Sequence, residues 1–125
     1  MKKRILTLDD QESMRNVFLF TLKKEFDVVV TSTAEETIEK AKTEPFDFIL
    51  IDILLDTDRM DGIDVAMELE RAGVNTPYGF LTSLSEESLE ASQRERAKRL
   101  KNLKFYQTKP IPPAELINKI KSVTG

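Results

Sequence analysis

The residues that could do chemistry in this chain are a set of carboxylates, one hydroxyl and one ammonium. Asp9-Asp10, Asp52, Thr82 and Lys109 each follow a short apolar run, in that order along the sequence. Three carboxylates brought into one crevice repel each other, so at neutral pH they need a cation or must take up protons. Magnesium suits such a set. It takes oxygen ligands, keeps several waters, and accepts one or two carboxylates together with phosphate oxygens. A carboxylate beside that ion can attack a phosphoryl group, because the cation neutralises charge on nucleophile and donor together. The Thr82 hydroxyl and the Lys109 ammonium would then hold the remaining phosphoryl oxygens. Composition removes other chemistries: there is no Cys and no His, hence no disulfide, thiolate zinc site, imidazole base or phosphohistidine carrier.

Taken singly, each residue has a blander role. An acid pair after a strand more often caps a helix or a turn, Asp52 could cap a loop, Thr82 could cap a helix, and Lys-Pro is common. The joint placement carries the argument, and it depends on the elements that position these residues. Five short runs, Arg4–Leu8, Asp27–Thr31, Phe46–Ile51, Tyr78–Leu81 and Leu103–Gln107, are rich in β-branched or aromatic residues and bounded by polar or Pro-containing segments, as buried parallel strands are. Phe48-Ile49-Leu50-Ile51 is apolar without alternation and predicts a central strand covered on both faces. Between the strands lie helical stripes: Met14, Val17, Phe18, Leu22 and Phe26; Val65, Ala66, Leu69 and Ala72; Leu116, Ile117, Ile120 and Val123. Thr33 with Glu36, and Ser83 with Glu86, have capping-box spacing at the starts of the second and fourth helices. Gly73 closes the third helix. Ser85 to Asn102 is mostly charged, acids leading and bases trailing, which predicts an exposed helix aligned with its dipole. The order βαβαβαβαβα predicts an α/β fold, a doubly wound five-stranded parallel sheet with helices on both faces. With strand order 2-1-3-4-5, strands one and three are neighbours and their terminal acids converge at the switch point.

A chain of 125 residues suits one compact domain, residues 1–125. The net charge of −3 does not favour nucleic acid as a partner, and the basic run Arg94–Lys104 reads as a solvated face. No apolar run approaches the ~20 residues needed to span a bilayer. The basic start, Met1-Lys2-Lys3-Arg4, is followed by too short an apolar segment for a secretory signal. A cytoplasmic protein is the expectation. The acids Asp56, Asp58 and Asp61 invite a calcium-loop reading, but Met60, Asp61 and Met67 stand where an EF-hand loop needs an acid or amide, Gly and Glu.

Over its whole length the sequence resembles the receiver domains of two-component response regulators. The resemblance is carried by Leu8-Asp9-Asp10, the apolar run into Asp52, Met60-Asp61-Gly62, Leu81-Thr82-Ser83, Tyr106-Gln107-Thr108-Lys109-Pro110 and Glu115-Leu116. It implies a flavodoxin-like sheet and a phosphorylation-dependent signalling switch rather than an enzyme with turnover. Asp52 would accept a phosphoryl group from a histidine kinase or histidine phosphotransfer protein. Asp9, Asp10, Asp52 and the backbone carbonyl of Leu54 would bind Mg2+. Thr82 would be the switch hydroxyl, Tyr106 the switch aromatic and Lys109 the phosphoryl-sensing lysine. The face made by the fourth helix, fifth strand and last helix would contact an output protein or downstream domain. Residues two places after the phosphoacceptor and two after the hydroxyl, here Leu54 and Leu84, would flank the water that removes the phosphoryl group. The sequence departs from the family pattern in a stretch from Asp52 to Gly62 that is two residues longer and lacks Pro. Its Thr82–Lys109 interval is also long, and Asn102-Leu103 replaces a small pair. Two rivals are weaker. A phosphorylation-independent interaction module would not need the full acid set, and a haloacid-dehalogenase-type phosphatase would need its Asp pair just after strand one, where position 11 is Gln.

Overall fold

The computed structural model describes residues 2–56 and 59–125, so Asp58 lies outside the described residues. The elements are β1 (Lys3–Leu8), α1 (Glu12–Leu22), β2 (Phe26–Thr31), α2 (Ala34–Thr43), β3 (Phe48–Ile51), α3 (Gly62–Arg71), β4 (Tyr78–Thr82), α4 (Ala91–Lys98), β5 (Leu103–Thr108) and α5 (Pro113–Thr124). The strands form one parallel sheet in the order β2-β1-β3-β4-β5. The expected doubly wound fold is therefore present.

Alternation along the central strands divides the core. Leu6, Leu8, Ile49 and Ile51 point to one face and pack with Ala34 and Ala41 of α2 and Val65, Ala66 and Leu69 of α3. Ile5, Phe48 and Leu50 point to the other and meet Phe18 and Leu22 of α1 and Leu116 and Ile120 of α5. All four β3 residues are buried, each worth about 1.5–3 kcal/mol in transfer terms. This explains why the run lacks alternation: both of its faces are covered.

Several local expectations need correction. Val17 shares the spacing of the first helical stripe but lies on the solvent side of α1, 45% exposed, and Phe26 belongs to β2. Phe46, though buried, precedes β3 rather than starting it. The fourth helix does not start at Ser83. Ser85 leads a single 3-10 turn, Glu86–Ser88, and α4 restarts behind Glu90, which forms its own capping box with Gln93. The break has a physical reason: it lets Leu89, set between Ser88 and Glu90, turn into the core. Thr33 does cap α2, accepting from the Glu36 N–H, and Gly73 follows α3 at φ 82°, where a side chain would be strained.

α3 is tied to the lead-in of β5 by one residue. Glu70 accepts from the Tyr78 hydroxyl at 2.5 Å and from the Lys101 and Asn102 N–H groups. Partial burial works against the Glu70 charge, but these donors outweigh it and hold its pKa below the usual value. The Tyr78 phenol is pushed up, by burial first and then by Glu70.

Candidate functional site

Register brings the separated residues together. Leu8 pairs with Ile51, so Asp9 and Asp52 emerge side by side where the strand order reverses. Thr82 pairs with Thr108, and Lys109 N–H continues the ladder to the Thr82 carbonyl at 2.9 Å. Asp9 and Thr82 are fully buried, and Asp52 is 7% exposed. Lys109 Nζ lies 2.8 Å from Asp9 Oδ2 and 2.9 Å from Asp52 Oδ2.

The other oxygens are also engaged. Asp9 Oδ1 accepts from the Gln11 N–H at 2.9 Å, and Asp52 Oδ1 accepts from the Leu54 N–H at 3.1 Å. Asp10 Oδ2 accepts from the Asp56 N–H at 2.8 Å, which ties the β3–α3 loop to the end of β1. Asp10, Gln11, Met14, Asp52, Leu54 and Asp56, with Ser83 and Lys109, line an open crevice of about 330 Å3.

Charge in this crevice is unbalanced. Burial pushes the Asp52 carboxyl above its ordinary pKa; the Lys109 contact and the Thr82 hydroxyl pull it back, and Asp9 adds to the rise. Burial works against the Lys109 charge as well, but Asp9 and Asp52 together hold the ammonium above its ordinary value. The asymmetry follows from stoichiometry. One ammonium is shared by two carboxylates, so its charge is fully compensated while theirs is not. Asp10 adds a further acid at the mouth.

An added cation therefore fits the chemistry of this donor set. Asp10, Asp52 and Leu54 line the crevice and could offer a magnesium ion oxygen ligands, whereas the Asp9 oxygens are engaged by Lys109 and the Gln11 N–H. Among the described residues no three carboxylates are drawn together around one point: Asp9 and Asp52 meet on Lys109, while Asp10 accepts from the Asp56 N–H.

Tyr106 sits three residues before Lys109, half-buried, edge-on to Phe80 with centroids 5.9 Å apart. Its hydroxyl donates to the Leu84 carbonyl at 2.5 Å. Burial, then the charges of Glu86, Asp52 and Glu87, push its pKa up to about 12. Leu84 is thus a junction, since its N–H approaches Thr82 Oγ1 at 3.4 Å while its carbonyl holds Tyr106. The Tyr106 ring is tucked against Phe80, where the Leu84 carbonyl satisfies its hydroxyl. The two leucines expected to flank the water path part company. Leu54 lines the crevice, whereas Leu84 packs on the apolar cluster under α4.

An open parallel sheet in the order β2-β1-β3-β4-β5 defines a doubly wound α/β protein, a class in which ligands bind at the carboxyl ends of the strands, at the switch point. Residues 5–121 match the model of the response regulator receiver domain, and the chain belongs to that family. It is 32% identical over 124 residues to the alkaline phosphatase synthesis transcriptional regulatory protein PhoP of Bacillus subtilis, covering 98% of this chain and 49% of that protein. It is 31% identical to the transcriptional regulatory protein SrrA of Staphylococcus aureus, covering 98% and 48%. The chain spans about half the length of the curated relatives it matches. Among solved structures it resembles the signal receiver domain of a modulated diguanylate cyclase from Desulfovibrio desulfuricans, with TM-score 0.82, 28% identity, and coverage of 99% and 94%. A CheY-like receiver domain from Methanospirillum hungatei has TM-score 0.83 at 24% identity, covering 98% and 93%, and shares the fold. No helix among the described residues is long and apolar enough to cross a membrane.

Proposed function

We propose that this receiver domain is a phosphorylation-operated switch in which Asp52 is the phosphoacceptor. The observation that supports this best is the shared lysine: Asp52 is a buried, undercompensated carboxylate that opens onto a crevice and is oriented by Lys109. An Asp52 oxygen would attack phosphorus, forming a P–O bond as the bond from phosphorus to the donor's imidazole nitrogen breaks and its electron pair leaves with the donor. Bound magnesium would supply charge neutralisation for nucleophile and phosphoryl oxygens. Lys109 holds Asp52 in line and turns its charge to the new phosphoryl oxygens, and the Thr82 hydroxyl donates to another.

Exposed surface supports a reading of the partners. A histidine kinase or phosphotransfer protein would approach across α1, where Val17, Leu19 and Phe20 are exposed apolar residues, Phe20 at 68%. Movement of Thr82 toward a phosphoryl oxygen would pull on Leu84 and hence on Tyr106, changing the face made by α4, β5 and α5 that an output protein or domain reads. The role is signalling; the only chemistry is on the domain's own phosphoryl group, and the cytoplasm is where such a kinase would act. The test is uptake of one phosphoryl group from acetyl phosphate, followed by intact mass. Uptake should require magnesium, stop with chelator, and fall in Asp10→Ala. No uptake with magnesium and excess donor would overturn the proposal.

A further inference from the structure

Arg96 belongs to a basic run that reads in sequence as a solvated face, yet it is half-buried and reaches back across the chain. Its Nη1 bonds to Asp64 Oδ1, and its Nη2 lies 3.3 Å from Asp61 Oδ2. Gln93 Nε2 donates to the same Asp61 oxygen at 3.2 Å. Both carboxylates are oriented by the start of α3. Asp61 Oδ1 accepts from the Asp64 N–H, and Asp64 Oδ2 accepts from the Asp61 N–H. Their outer oxygens are thereby presented to α4.

α4 needs that hold more than any other helix. It has eight residues and none of them is buried, and its only apolar side chains are Ala91 and Ala97. A helix of two turns is not stable by itself, and this one has no apolar stripe to fix it. Leu89 before it is buried in the core, and Leu100 after it and Ala97 within it pack on that core, so the polar hold on α4 comes from Gln93 and from the two-carboxylate grip of Arg96.

The other end of this attachment reaches Asp52. The Gly62 N–H donates to the Ile53 carbonyl at 2.9 Å. A Cβ on Gly62 would lie 2.2 Å from the Asp52 carbonyl oxygen. The first turn of α3 therefore rests on the backbone of the phosphoacceptor, with Asp61 one residue away.

We propose that Arg96 is a positioning residue that clips α4 to the first turn of α3, so that backbone movement at Asp52 is carried through Gly62 and Asp61 to the output face. This is a second line of transmission beside Thr82–Leu84–Tyr106. The transmission step rests on the reading of Asp52 as phosphoacceptor; the clip does not.

The experiment is amide hydrogen exchange on the full chain for the wild type, R96M, D64N and the double variant. Each is measured with and without magnesium and acetyl phosphate, with phosphoryl content read by intact mass in the same samples. Without phosphodonor, the α4 amides of R96M should exchange on the order of tenfold faster than wild type, while those of β3 and α5 keep their protection. D64N should be intermediate, and the double variant no faster than R96M, because the two residues act through one contact. On phosphorylation, α4 exchange should change several-fold in the wild type and by less than half as much in R96M. Equal α4 protection in unphosphorylated wild type and R96M would overturn the clip. An equal phosphorylation-dependent change in both would overturn the transmission, which a merely structural role for Arg96 would also produce. If R96M does not fold, D64N carries the comparison, and wild-type protection of its α4 would overturn the clip. Absence of any mass increase would fell the reading of Asp52 and, with it, the transmission step, while leaving the clip to be decided by the unphosphorylated samples.

Discussion

Gly62→Ala is the substitution whose outcome the fold dictates most sharply. Gly62 is the first residue of α3, and helix propensity alone says that Ala there should stabilise the chain by up to about 1 kcal/mol. The structure says the reverse. The new Cβ would stand 2.2 Å from the Asp52 carbonyl oxygen and 2.8 Å from the Asp52 carbonyl carbon and the Ile53 Cα. All three are backbone atoms of a buried segment, so none can swing aside. Restoring ordinary contact needs a separation of about 1 Å between α3 and the end of β3, and overpacking of that kind costs about 1–3 kcal/mol. Because every close atom is backbone, the cost falls in the upper half of that range, and net of the propensity gain the loss is about 1–2 kcal/mol, or roughly 4–8 °C in Tm for a domain of this size. Thermal and urea unfolding of the variant beside the wild type measure it. The same displacement moves the nucleophile, and misplacement by about 1 Å can cost 100-fold in rate, so phosphoryl uptake from acetyl phosphate should slow by one to two orders of magnitude. An unchanged or higher Tm would refute the close approach of α3 to Asp52.

Other outcomes follow from particular contacts. Glu70→Ala strips the buried Tyr78 hydroxyl and two backbone N–H groups of their acceptor and should cost about 1–3 kcal/mol in urea unfolding. Because the folded Glu70 pKa is depressed, its contribution is complete above the unfolded value of about 4.3 and is lost as pH falls through the folded one. Glu70→Gln should flatten the acid limb of the stability curve, as a pH series of Tm values would show. Compared at matched phosphorylation by mass, Thr82→Ala should abolish the shift of the Tyr106 ring resonances that phosphorylation causes in the wild type, since it cuts the link to Leu84. Leu54→Glu offers a water a hydrogen-bond partner inside the crevice and should speed loss of the phosphoryl group several-fold after donor removal. Leu84→Asn, whose side chain starts on the apolar cluster, should change the decay less, and the reverse order would place the two leucines wrongly.

The sequence made the sheet legible because each strand was a short apolar run closed by polar residues, and the order of the elements left one right-handed winding. The members of the crevice were legible for the same reason: they are what stands at the ends of those runs. What the sequence did not disclose were relations across the chain. Arg96 lies 32 and 35 residues from its partners, and no local spacing marks it apart from Arg94 or Arg99. The restart of α4 behind Glu90 was hidden because Ser83 and Glu86 offer an equally good local cap, and only the pull of Leu89 into the core decides against it. Val17 fits the helical stripe of α1 by spacing, yet the α1–α5 packing leaves it in solvent. That Lys109 would sit between Asp9 and Asp52, rather than merely near them, depends on the β4–β5 register.

Intact mass of the wild type and Asp52→Asn, each incubated with magnesium and acetyl phosphate, tests the central claim most directly. One phosphoryl group should appear on the wild type and none on the variant, since the amide keeps the shape of the side chain but lacks the nucleophilic oxygen charge. Equal phosphoryl uptake by the two proteins would contradict Asp52 as the phosphoacceptor.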